Sequence, residues 1–104
     1  MAADTEAGPP LGAHMSVAGG IHNSIDHILK VGGTALQIFT RNQRQWRAKP
    51  LSQEEISDFV NKRKAAGINH VASHASYLVN LASKKKDLLE KSINAMADEL
   101  VRCQ

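Results

Sequence analysis

The chain has 104 residues, 42% of them hydrophobic and 22% charged, the profile of an ordinary globular protein sized for one small domain or a piece of a larger one. Thirteen Lys and Arg against 10 Asp and Glu leave a net charge of +3, too modest by itself to establish a polyanion partner. No apolar run approaches the roughly 18 residues of a membrane span. The single cysteine, Cys103, excludes an internal disulfide and suits a reducing compartment.

The opening "MAADTEAGPPLG" carries two acids and no Arg or Lys. It has neither the basic start and apolar stretch of a secretory signal nor the composition of a mitochondrial presequence. Residues 1–10 read as a flexible leader ending at Pro9-Pro10, and residues 11–104 as the folded part. "LGAHM" (11–15) is a short apolar stretch closed by the two glycines of "SVAGG". Those glycines mark a turn, since no phosphate-loop pattern surrounds them. Ile21, Ile25, Ile28 and Leu29 then recur at helical spacing, and Gly32-Gly33 stops that helix.

"TALQIF" (34–39) is a second β-prone segment, and it leads into "FTRNQRQWRAKP" (39–50). This loop places Arg41, Arg44, Arg47 and Lys49 around Trp46, with three amides and no acid. Ser52-Gln53-Glu54-Glu55 fits a capping box, in which the hydroxyl caps the helix start and Glu55 reaches back. Ile56, Phe59 and Val60 give that helix its expected buried face, and Gly67 its stop. "INHVASH" (68–74) reads as the third strand. Residues 84–103 read as the third helix, with Leu88, Leu89, Ile93, Met96, Leu100 and Val101 as its inner side. Lys84 to Lys86 read as its solvated start.

Strand–helix alternation repeated three times implies an α/β fold with parallel strands and right-handed crossovers. Three strands alone leave a sheet with two open edges. In such folds ligands gather after the C-terminal ends of strands. His14, the basic loop and His74 all fall there. A lone histidine is most simply a hydrogen-bonded residue near the core, and that reading stands beside a functional one for His74 and, more strongly, for His14. His22, His27 and His70 lie on or beside helices and read as surface or packing residues. No His-x-x-x-His or Cys-x-x-Cys pair offers a metal site from local spacing. The basic loop is a solvated surface or a nucleic-acid contact: guanidinium groups pair with phosphates, and amides read or wedge base edges. Trp46 reads equally as an anchor into the core.

"GAHMSVAGG", "LQIFTRNQRQWRAKPL" and "SHASYLVNLAS" together resemble the N-terminal part of the endonuclease IV family of apurinic/apyrimidinic (AP) DNA-repair endonucleases. The likeness runs from about Gly12 to the end of the chain, and "NQRQW" followed about 28 residues later by the histidine of "HASYLVNL" is its most specific element. The resemblance implies a TIM (β/α)8 barrel, of which this chain supplies the first three βα units. It also implies a three-zinc cluster whose activated hydroxide cleaves the phosphodiester 5′ to an abasic site, a step of base excision repair. Carried over by motif, His74 is a zinc ligand and the further ligands lie on later strands. Asn42, Gln43, Arg44 and Gln45 form a minor-groove recognition loop in which Arg44 wedges into the duplex, and Tyr77 and Leu78 belong to a second. Ala75 stands where some members carry an acid.

The partner so implied is double-stranded DNA containing abasic sites, with an intracellular location near DNA and a monomeric intact enzyme. With one ligand of the set, the chain alone is expected not to incise DNA, and its open strand edges invite aggregation. Two alternatives remain open: a truncated DNA-contacting module without chemistry, and a barrel of the sugar-isomerase type. The cationic loop counts against the second, since a neutral sugar needs no phosphate grip.

Overall fold

The computed structural model describes residues 8–104, so most of the expected leader, residues 1–7, lies outside the described residues. Gly8 to Pro10 are exposed and outside regular structure. Six elements alternate as expected: β1 (Gly12–His14), α1 (Asn23–Lys30), β2 (Ala35–Ile38), α2 (Gln53–Ala66), β3 (His70–Ser73) and α3 (Lys86–Arg102). The strands form one sheet in the order β1-β2-β3, and β1 pairs with β2 in parallel, Gly12 opposite Ala35 and His14 opposite Gln37. The chain divides into two compact units. One runs to Ile38 and resumes over Gln53–Ala72; the other is Phe39–Ser52 with Ser73–Gln104.

The first unit holds the apolar core, Ile25, Ile28, Leu36, Ile38 and Ile68, with Phe59 and Ala66 of α2 packed at its margin. Leu36 and Ile38 are two apart on β2 and therefore share a face, which this core covers. Gln37 points the other way, and its side chain meets the His14 ring at 3.0 Å. The sheet is thus apolar on one face and carries polar groups on the other. β1 and β2 approach so closely at Gly12 that a Cβ there would lie 1.8 Å from the Ala35 carbonyl oxygen.

Both helices of this unit end on the expected glycines, by the same device. Gly32 (φ +76°) donates to the Leu29 carbonyl while Gly33 donates to Ile28; Gly67 (φ +72°) donates to Lys64 while Ile68 donates to Arg63. Each pair is a Schellman closure, which needs a left-handed residue after the helix and satisfies two orphan carbonyls. The second also delivers Ile68 into the core as β3 approaches. The expected inner face of α2 is only partly covered: Phe59 and Val60 are half-buried and Ile56 is exposed.

In the second unit α3 departs from expectation. Its buried residues are Ser92, Ala95 and Glu99, whereas Ile93, Leu100 and Val101 are exposed and Leu88, Leu89 and Met96 half-buried. The helix is turned roughly a quarter revolution from the face its apolar periodicity picks out. Polar partners explain the turn. Ser92 Oγ accepts the Asn80 N–H at 2.8 Å, and Glu99 accepts the hydroxyls of Thr40 and Ser73.

Candidate DNA-contact and metal-ligand site

Every residue assigned to the two recognition loops lies in the second unit, together with His74. The first loop leaves β2 at Phe39, and the second leaves β3 at His74. They are joined by backbone geometry. The Gln43 carbonyl accepts the Tyr77 N–H at 3.1 Å and the buried Ser76 hydroxyl at 2.9 Å. Ser76 Oγ in turn accepts the Leu78 N–H. Gln43 therefore contributes its main chain to the junction. Within the first loop the Asn42 side chain accepts the Arg44 N–H at 2.8 Å, a local turn of the kind short amides favour. Asn42, Arg44, Gln45 and Arg47 are exposed, while Gln43, Trp46 and Ala48 are half-buried.

The second loop presents an aromatic cluster. His74 lies 4.9 Å from Phe39 and 5.7 Å from Tyr77 between ring centroids, and Phe39 lies 5.4 Å from Tyr77, both Tyr77 contacts edge-on. Such tilted contacts suit ring quadrupoles and fix orientation. Tyr77 is nonetheless 62% exposed. Leu78 beside it is half-buried. His74 is exposed. Its Nδ1 is 2.7 Å from the Ala75 carbonyl oxygen, and a carbonyl can only accept. Nδ1 is therefore the donor in this contact, which sets the direction of the ring.

A three-zinc cluster does not fit these residues by themselves. His74 suits one ligand position, but among the described residues no three His, Cys, Asp or Glu side chains converge to hold a metal. His14, in the first unit, ends β1 as an exposed residue beside Gln37. His70 is exposed and His22 and His27 are half-buried, in keeping with surface or packing roles.

The basic loop is also tied to α3. Arg41 donates from Nη1 to Asp98 at 2.6 Å and from Nη2 to the Trp46 carbonyl at 2.6 Å. Arg102 donates from Nε to Asp98, from Nη1 to the Thr40 carbonyl and from Nη2 to the Lys49 carbonyl, at 2.8, 2.9 and 2.9 Å. A shallow cavity of about 330 Å³ lies here, lined by Trp46, Arg41, Lys91, Asn94 and Asp98 among others, with the Lys91 ammonium 6.0 Å from the indole centroid. Sequence reading missed Phe39, Ser76, Asp98, Glu99 and Arg102. Spacing gave a signal for Glu99 alone: Ser92, Ala95 and Glu99 recur at helical intervals as two small residues and one acid, which an apolar search passes over.

The strand–helix order, the parallel pairing and the paired loops define a class, and the comparisons agree: the chain belongs to the xylose isomerase-like TIM barrel family, whose model matches residues 25–104. Within that family its likeness is to endonuclease IV, as the motifs indicate. It is 52% identical over 95 residues to the probable endonuclease 4 of Chloroflexus aggregans, covering 91% of this chain and 33% of the relative. The corresponding protein of Geotalea daltonii is 45% identical over 93 residues, 89% of this chain and again 33% of the relative. The crystal structure of endonuclease IV from Thermus thermophilus superposes with a TM-score of 0.81 at 40% identity, covering 86% of this chain and 34% of that one. The chain thus spans about a third of the length of these relatives, as the N-terminal part of an incomplete barrel.

Proposed function

We propose that residues 11–104 form the DNA-recognising, N-terminal part of a zinc-dependent AP endonuclease that cleaves the phosphodiester 5′ to an abasic site in double-stranded DNA. The observation that carries this reading is the joining of the two loops through the Gln43 carbonyl. It makes one surface of exposed Arg44, Asn42 and Gln45 on one side and of Tyr77 and His74 on the other. Arg44 supplies a guanidinium for a phosphate or for the gap left by a missing base. Tyr77 offers an open ring for stacking, and Leu78 an apolar edge beside it. His74 contributes one zinc ligand. Bound zinc supplies an activated hydroxide and charge neutralisation at the phosphate; these residues position the DNA and hold one corner of the metal site.

The likeness to proteins named endonuclease 4 favours this reading over a sugar isomerase, as does the cationic loop. A chimera tests it. This chain replaces the matching third of the Thermus thermophilus enzyme and is assayed with zinc on a duplex bearing one abasic analogue. Incision on the 5′ side is expected, reduced at least about a hundredfold by His74→Ala. A folded, DNA-binding chimera that does not incise would instead support a contact module without chemistry.

A further inference from the structure

Four cations make the basic loop look uniformly available to DNA, yet they divide into two kinds. Arg44, Arg47 and Lys49 are exposed, whereas the Arg41 side chain is only 6% exposed and ends on Asp98 and the Trp46 carbonyl. Arg102 of α3 is likewise withdrawn, at 8% side-chain exposure, and reaches the loop at both ends through the carbonyls of Thr40 and Lys49. Asp98 joins the two guanidinium groups on one carboxylate oxygen, Oδ2. The result is a brace from α3 across residues 40–49. Forked, charge-assisted hydrogen bonds of this kind fix direction as well as distance, which a lysine ammonium cannot reproduce.

We propose that Asp98, Arg102 and Arg41 are positioning residues that pre-form the basic loop, so that Asn42, Arg44 and Gln45 meet DNA already in their bound arrangement. The role rests on the reading of this loop as a DNA contact, and it adds three residues that never touch the nucleic acid. Pre-forming a loop raises affinity by removing the cost of ordering it at the moment of binding.

The sign of one substitution separates positioning from simple charge. Asp98→Asn removes a negative charge beside a polyanion site, so electrostatics alone predicts tighter DNA binding. Loss of the brace predicts weaker binding. Arg102→Lys keeps the charge and loses the fork, so it should be neutral on the first account and damaging on the second. The full 104-residue chain and both variants are titrated with a duplex containing one abasic analogue, and amide exchange of residues 42–49 and of α3 is followed by NMR. The expected result is binding weaker by about tenfold in each variant. Exchange of the Arg44 amide should quicken by about tenfold while α3 keeps its rates. Unchanged loop exchange in both variants, or tighter binding by Asp98→Asn, would overturn the proposal. Should the unaltered chain not bind DNA, the DNA reading falls by itself, and loop exchange still decides whether the brace orders the loop.

Discussion

Asp26 and Lys62 pair across the surface of the first unit at 2.6 Å, and the Lys62 hydrogen bond holds the Asp26 carboxyl below its ordinary value of 3.8. A carboxylate lowered by folding stabilises the folded state above its unfolded pKa, and the benefit is lost as pH falls through the folded one. Asp26→Asn should therefore lower stability slightly near neutral pH, flatten its decline in acid below the usual carboxylate range, and converge with the unaltered chain at low pH. Denaturant melts across that range check it, and an unaltered acid limb would show that the pair carries no linkage. His74 shows how much a single residue reveals before folding. Its position in "SHASYL" was legible, but the setting of its ring depends on the Ala75 carbonyl and on the rings of Phe39 and Tyr77. Gln43 is the converse: the motif assigns it to DNA contact, and the fold uses its carbonyl to join two loops. No side-chain pattern encodes a main-chain role.

At the scale of elements, punctuation was the most legible feature. Gly32 and Gly67 sit at positive φ where the sequence placed helix ends, because a left-handed closure has few other residues available to it. The start of α2 at Gln53, directly after Ser52, falls where the capping-box motif placed it. The facing of α3 was not legible. Apolar periodicity assumes that burial follows hydrophobicity, and here a buried carboxylate with two hydroxyl donors competes for the inward face. One consequence is an outward seam of Ile93 and Leu100, 52% and 64% exposed and two helical turns apart. Ile93→Lys with Leu100→Lys should lower self-association of the chain in sedimentation velocity. Stability should change by no more than about 0.5 kcal/mol per exposed substitution. Unchanged association together with a fall of several kcal/mol would place that face in a packed interior instead.

For the whole molecule, the α/β alternation and the parallel pairing followed from strand and helix signals spaced in regular order, and the partial barrel from the family resemblance. The spatial joining of the two loops did not, because it depends on hydrogen bonds between residues 33 apart or more. In the proposed reading that joining turns two motifs into one surface for DNA, with the exposed Arg44 at its cationic side. The most direct measurement is equilibrium binding of the chain and of Arg44→Ala to a duplex with one abasic analogue, at several salt concentrations. Arg44 is expected to give up one phosphate contact or wedge, weakening affinity by about 1–3 kcal/mol and flattening the logarithmic salt dependence by about one unit of slope. If Arg44→Ala leaves both affinity and slope as they are in the unaltered chain, the basic loop does not grip DNA and the proposed function fails with it.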